Sequence, residues 1–376
     1  MRVSRQDPGF FLLARPSSLV TSLLNMPESA KRFLIIRLSS IGDIVHALPA
    51  TAALGEAFPG AQIDWVVESR HAALLEGNPF LRRVILLDTL GWRRNLVRGK
   101  TLAAVRSSIA ALRAENYDAA IDFQGLCKSA FIARLSHARE RVGFTETRLR
   151  EPAAAAFYTA QVAPRERNHV IELNLALVEY LGAHRIGRER WRFPLPTNRA
   201  DEDYVSRQLA ALGGHDFMIV NPGGGWQSKR WAPADYAAVI RRMAEEFPGE
   251  FLLTGSPDEE PVIEEIRRAS ETPRAHYFSS TITQFTALAR RAKLFVGSDS
   301  GPLHLAAALG TPIVGIYGPT DPTRNGPFSP LDITLWNGGP IDYTRRNKSA
   351  GYISGVSVPS VVNAIRERLT RTHERG

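Results

Sequence analysis

The sequence predicts two doubly wound α/β domains in tandem, and three observations carry that expectation. Short apolar runs alternate with longer amphipathic stretches, the alternation comes in two blocks, and a polar segment with two prolines separates them. In the first block the runs are FLIIRLS at 33–39, IDWVVE at 63–68, RVILLD at 83–88 and AAIDFQG at 119–125. Such runs suit parallel strands covered on both faces, joined by helices. The second block repeats the pattern with FMIVNPG at 217–223, EFLLTGS at 250–256, KLFVGSDS at 293–300 and PIVGIYG at 312–318. Between the blocks, WRFPLPTNRADED at 191–203 suits a linker that runs into a helix cap. After Pro359 and Ser360, the residues Val361, Val362, Ile365 and Leu369 share one helical face, which predicts a terminal amphipathic helix. The expected organisation is a poorly ordered extension over 1–30, a first domain over 31–190, a second over 191–358 and the helix over 359–376. Within the extension, FFLLA at 10–14 is broken by Arg15 and Pro16 before a signal-like pattern develops, and Met26 offers an alternative start.

A chain of 376 residues is long enough for two compact cores, and 44% apolar with 23% charged residues is ordinary for a self-folding globular protein. One cysteine, Cys127, excludes an intramolecular disulfide and a cysteine-based zinc site, which fits a reducing compartment. The net charge of +9 favours anionic partners: nucleic acid, an acidic membrane surface or a phosphorylated small molecule. No apolar run approaches the roughly 18 residues of a membrane span.

In open α/β sheets ligands bind beyond the carboxyl ends of the strands, so the loops after the apolar runs are the places to look. The first is RLSSIGD at 37–43, where Asp43 opens a helix. Two readings of Asp43 stand: it complements the positive end of its helix, or it is a carboxylate kept ionised there to take a proton from a substrate hydroxyl. The second loop, NPGGGWQSKRW at 221–231, has three successive glycines for close backbone approach and Lys229 to reach an anion, without the Gly-Lys-Ser/Thr of a Walker loop. The third is GSDSGPLHLAAALG at 297–310, with Ser300 at a cap position, Pro302 in the first turn and Gly310 at the end. The free N–H groups around Ser300 and Gly301 make a diphosphate site, while Asp299 would repel phosphate and suits sugar hydroxyls. His304, one turn on, is either a phosphate donor or a satisfied core histidine. In TGSPDEE at 254–260, Glu259 suits the vicinal hydroxyls of a ribose, and YGPTDP at 317–322 shapes a wall.

Taken together, RLSSIGDIVHALP, YDAAIDFQGLCKSA, KRW, SDSGPLH and YGPTDP resemble glycosyltransferase family nine, most closely its lipopolysaccharide heptosyltransferase I branch, over nearly all of 32–330. LREPAAAAFY at 149–158 points to the same branch. The resemblance implies a GT-B fold of two Rossmann-like domains facing a central cleft, the first binding the acceptor and the second the donor, ADP-L-glycero-D-manno-heptose. It implies that the acceptor is the Kdo sugar on lipid A, with Asp43 as general base. It also implies that Lys229 and the Ser300–Gly301 turn hold the diphosphate, that Glu259 holds the ribose, and that Asp299 and His304 complete the donor site. Arg93, Arg94, Lys128 and Arg150 stand where the family grips its anionic acceptor. GGGWQSKRW replaces a more threonine-rich donor loop in the family, so another nucleotide sugar stays open as the donor.

Attack by an Asp43-deprotonated hydroxyl, with ADP leaving from the opposite face, inverts the anomeric centre. Lys229, backbone N–H groups and the helix dipole meet the charge on the leaving diphosphate, so no metal or other cofactor is expected. Asp201, Glu202 and Asp203 form the one DxD-like triplet and read as helix-terminal charge. A peripheral position on the cytoplasmic face of the inner membrane is expected through basic residues. Three other readings remain: a sugar-nucleotide epimerase, which needs no acceptor; a nucleic-acid binder, for which no module is present; and a non-catalytic relative.

Overall fold

The computed structural model describes residues 31–88, 109–164, 168–214, 216–341 and 351–373. Arg93 and Arg94, and the extension over 1–30, lie outside them. In chain order the first half contains β1 (Arg32–Ile36), α1 (Ile41–Ala57), β2 (Gln62–Glu68), β3 (Arg83–Leu87), β4 (Ala119–Asp122), α2 (Cys127–Leu135), β5 (Glu140–Phe144), β6 (Ala160–Val162) and α3 (Val170–Tyr180). The second half contains α4 (Arg199–Ala211), β7 (Phe217–Asn221), α5 (Pro233–Met243), β8 (Glu250–Leu253), α6 (Glu260–Ala269), β9 (Ala275–Tyr277) and α7 (Ile282–Ala289). It continues with β10 (Leu294–Ser298), α8 (Gly301–Ala308), β11 (Ile313–Tyr317), α9 (Pro322–Asn325), β12 (Ile333–Trp336) and α10 (Val358–His373).

The strands form two six-stranded parallel sheets, ordered β3-β2-β1-β4-β5-β6 and β12-β11-β10-β7-β8-β9. Each has the doubly wound order in which the winding direction reverses between the first strand and the fourth: β1 and β4 in one sheet, β7 and β10 in the other. All eight apolar runs are strands, and the central ones are apolar because they are covered on both faces: Phe33, Leu34, Ile35 and Ile36 of β1 are each 0% exposed. The strands that the apolar pattern does not announce are β5, β6, β9 and β12, which lie toward the sheet edges. The edge strands β6, β9 and β12, with AQV, AHY and ITLW, are short or mixed because an edge needs less apolar cover, and β5, next to an edge, carries the mixed ERVGF.

The described residues separate into two compact units. One gathers those up to Ser39, Pro49–Ser69 and those between Pro79 and Arg190; the other gathers Ser40–Leu48, Arg70–Asn78 and those from Trp191 onward. In the first unit, Leu34, Ile36, Val66, Ala120 and Ile132 build the core. In the second, Met218, Val220, Trp231, Phe251 and Val296 pack with Val361, Val362 and Ile365 of α10, so the terminal helix closes that unit's core. Asp201 and Glu202 fall in the first turn of α4, whose cap is Asn198, the side chain of which accepts from Ala200 N at 2.9 Å.

Asp64 and Asp332 each sit at the centre of a buried charge cluster. Asp64 in β2, 0% exposed, accepts from Tyr117 Oη at 2.6 Å and from the guanidiniums of Arg82 and Arg83 at 2.5 and 2.8 Å. Burial pushes its carboxyl up, and the hydrogen bonds from Arg82 and Tyr117 more than reverse this, leaving it below the usual range. Tyr117→Phe is expected to lower the unfolding free energy by about 1.5–3 kcal/mol, the scale for a hydrogen bond to a charged group, as read in urea melts.

Asp332 accepts from Ile313 N at 3.0 Å and from Arg368 of α10 at 3.2 Å. Burial pushes it up to about 6, against the pull of those donors. The folded protein therefore holds this proton where the unfolded chain, near about 3.9, has released it. That stabilising difference is complete below about 4 and disappears as pH rises through about 6. The unfolding free energy of wild type, measured against Asp332→Asn, is expected to fall across that window; a flat difference would contradict the shift.

Candidate functional site

The loops that follow the reversal strands carry the motifs. In the first unit, the ends of β1 and β4 are tied together: Phe123 N donates to Ile36 O at 3.2 Å, Leu38 N to Gln124 Oε1 at 2.8 Å, and the Arg37 guanidinium to Phe123 O. The loop after β4 is shaped by Asp122. This buried carboxylate accepts from Gln124 N at 2.8 Å, Gly125 N at 3.1 Å, Ser129 Oγ at 2.8 Å and Tyr158 Oη at 2.8 Å. Burial raises its pKa and the four donors oppose the rise. Gly125 turns with φ of +66°, a left-handed conformation that favours glycine. Lys128, at the start of α2, is half-exposed and pairs with Glu68 at 3.2 Å; Arg150 is exposed.

Asp43 lies in the first turn of α1. Its Oδ2 accepts from Ser40 N at 3.1 Å and Ser40 Oγ at 2.8 Å. This is the reach-back of a capping box, with aspartate in the position that glutamate usually takes. The helix-terminal role of Asp43 is thus realised. It leaves the residue partly exposed in a turn whose N-terminal dipole favours the carboxylate.

In the second unit, three loops converge on Asp299, the residue after β10, which is 2% exposed. Its Oδ2 faces the Lys229 ammonium and accepts from Thr320 Oγ1 at 2.7 Å. Its Oδ1 accepts from His304 Nε2 at 2.9 Å and Asn325 Nδ2 at 3.1 Å. Burial works against the charge, but Lys229 and His304 overcome it and hold the carboxyl well below the usual carboxylate range. Lys229 also lies 4.7 Å from the centre of the Trp226 ring.

The glycine loop after β7 is held from the other side. Arg230 donates to Gly224 O at 3.2 Å and pairs with Glu259 at 3.3 Å, while Glu259 Oε2 accepts from Ser256 N at 2.9 Å. A Cβ on Gly223 would lie 2.8 Å from Glu259 Oε1, so this loop and Glu259 touch. Asn221 joins the pieces: its Nδ2 donates to Thr254 O at 2.8 Å, and its Oδ1 accepts from Ser300 Oγ at 3.3 Å. Ser300 keeps the extended N-cap backbone of α8 but makes no side-chain cap bond, so its hydroxyl does not occupy the N–H groups of that first turn.

The segment Ser40–Leu48 packs onto α8. A Cβ on Gly42 would lie 2.3 Å from His304 Cδ2, and one on Gly301 would lie 2.8 Å from Ile41 Cβ. The His46 and His304 rings meet edge-on, with centroids 4.5 Å apart. The turn that bears Asp43 and the first turn of α8 are therefore neighbours, each giving up a side chain to let the other approach. Sequence reasoning did not single out Arg230, Asn221, His46, Thr320 or Asn325. Arg230, Asn221, His46 and Thr320 lie inside the motifs that stood out, whereas Asn325 had no local signal.

Gly42→Ala is expected to destabilise the protein by about 1–3 kcal/mol, because the buried His304 must leave Asp299 to make room. Gly225→Ala, where nothing lies within 4 Å of the added atom, is the control and should stay within about 0.5 kcal/mol in the same denaturant melts.

This chain is similar to known proteins in both sequence and fold. A family profile described as Glycosyltransferase family 9 (heptosyltransferase) matches residues 105–351. Lipopolysaccharide heptosyltransferase 1 of Pseudomonas aeruginosa is 30% identical over 311 residues, covering 81% of this chain and 83% of that protein. A structure of the Escherichia coli heptosyltransferase WaaC with ADP superposes with a TM-score of 0.72 at 27% identity, over 90% of this chain and 99% of that one. A second, with ADP-2-deoxy-2-fluoro heptose, gives 0.68 at 26% identity, over 92% and 100%. The doubled parallel sheets are the GT-B fold, and the profile match over most of the chain together with the 30% identical relative makes this chain a glycosyltransferase that belongs to family 9, the heptosyltransferases.

Proposed function

We propose that this protein is an inverting heptosyltransferase that moves heptose from ADP-L-glycero-D-manno-heptose to the Kdo sugar of the lipopolysaccharide inner core. The observation that carries the reading is the contact between the first turns of α1 and α8, through Gly42 and Gly301. Asp43 sits in the first turn of α1 and the proposed diphosphate site in the first turn of α8, so the contact supports a general base acting next to that site. A transferase that activates a hydroxyl and releases a diphosphate needs both groups within one sugar's reach. The Escherichia coli relative was solved with ADP and with a fluorinated ADP-heptose, which supports an ADP-sugar as co-substrate here.

In this mechanism Asp43 takes the proton of the attacking acceptor hydroxyl as the new C–O bond forms at the anomeric carbon. The bond to the diphosphate oxygen breaks on the opposite face. ADP leaves with the electron pair, and the anomeric configuration inverts. The first-turn N–H groups of α8, its dipole and the Lys229 ammonium are aimed at the leaving diphosphate before reaction, so little reorganisation is required. Asp299 orients Lys229 and His304, and Glu259, beside the glycine loop, receives the ribose hydroxyls. Lys128 and Arg150, together with Arg93 and Arg94, meet the anionic acceptor. Among the described residues no helix is long and apolar enough to cross a membrane. The proposed location is peripheral, at the cytoplasmic face of the inner membrane where the lipid acceptor resides.

The test is ADP release from ADP-heptose, with and without Kdo-lipid A. Acceptor-dependent release is expected from wild type. Asp43→Asn should reduce kcat by about 10²–10⁴-fold while changing donor affinity little, the usual scale for a lost general base. Equal turnover without acceptor would favour an epimerase or hydrolase, and donor binding with no turnover a non-catalytic relative.

A further inference from the structure

The motif LREPAAAAFY folds as an irregular helical segment, Pro152–Phe157, packed along α2 through the buried Ala130, Ala154 and Tyr158, and the two elements carry exposed apolar side chains outside that cluster. Phe131 of α2 is 50% exposed, and its ring meets that of Phe157 edge-on at 6.0 Å. Ala153 and Ala156 are exposed beside them. Helical spacing sets Lys128, Phe131 and Arg134 along one side of α2, all three exposed. Arg150, just before the segment, is exposed as well, while the carboxylate of Glu151 turns inward to accept from Cys127 N at 2.8 Å. An aromatic ring among small apolar residues, bordered by cations, is the composition of an interfacial anchor: the ring enters the headgroup layer and the cations meet lipid phosphates.

We infer that the face formed by α2 and residues 152–157 docks on a bilayer containing anionic lipid. The choice of a bilayer over a protein partner rests on charge complementarity and on continuity with the acceptor contacts. Lys128 is one turn from Phe131, and Arg150 adjoins Pro152. Given the proposed lipid-linked acceptor, the groups that grip its sugar should lie next to the surface from which it projects. The inference deepens that reading and depends on it only for this last step.

The experiment is co-sedimentation of the full-length protein with vesicles of phosphatidylethanolamine and phosphatidylglycerol, against vesicles of phosphatidylcholine, at about 0.1 M salt. Wild type should bind the anionic vesicles and release them at about 0.5 M salt as screening removes the cationic contribution. The double variant Phe131→Ser, Arg134→Glu alters two exposed side chains outside the proposed catalytic and binding residues. It should lose at least about tenfold in vesicle partitioning, while its turnover of a delipidated soluble Kdo acceptor stays within about twofold of wild type. Equal binding to neutral vesicles, or a variant that sediments as wild type does, overturns the proposal. So does a variant that keeps vesicle binding but changes mass in light scattering, which would make the face a contact between copies of this chain. Normal vesicle binding by a wild-type protein that transfers no heptose would instead overturn the heptosyltransferase reading and leave the docking face intact.

Discussion

At 2% exposure a bare carboxylate is untenable, so Asp299 dictates what surrounds it. Its charge survives because an ammonium, an imidazole N–H, a hydroxyl and an amide each meet one of its oxygens. Those four partners come from the loop after β7, from α8 and from the chain after β11. One buried charge therefore sets the relative positions of three loops, and with them the direction of Lys229 and His304. The same pairing keeps a flexible lysine side chain pre-arranged at 11% exposure, which is what a group must be if it is to meet charge as it develops on a leaving diphosphate.

The second constraint is steric. A helix N-terminus and a neighbouring turn can meet closely only if no side chain stands between their backbones. Gly42 and Gly301 supply that closeness reciprocally, each facing a side chain of the other helix. His304 belongs to both constraints, since it is bonded to Asp299 and in contact with Gly42 and His46. In this way the electrostatic cluster and the position of the turn that bears Asp43 are one problem of packing. The first unit solves a parallel problem with Asp122, whose four donors shape the loop that leads to Lys128.

Much of this was legible in the residues alone. Central strands must be apolar on both faces, so FLII and FMIV declare themselves, whereas edge strands such as AQV and AHY bury too little to leave a pattern. The turns also speak locally: Gly310 at φ of +80° ends α8 where a glycine after an apolar helix is expected. The glycines, lysine and acids of the candidate site were legible for the same reason, because ligand loops follow strand ends and those ends are set by short-range pattern.

The partners of those residues were not legible, because they are joined by tertiary contact across long stretches of chain. Asn325 reaches Asp299 across 26 positions and Asn221 reaches Ser300 across 79. Ser40–Leu48 lies against α8 more than 250 residues later. Sequence by itself determined the alternating α/β pattern, the two blocks and the residue types able to bind a nucleotide sugar, since these follow from local periodicity and turn chemistry. Only the tertiary structure decided that Asp299 is an internal anchor with both oxygens engaged, and that the turn bearing Asp43 rests on α8. Burial and close approach are properties of the packed chain, and no single segment encodes them.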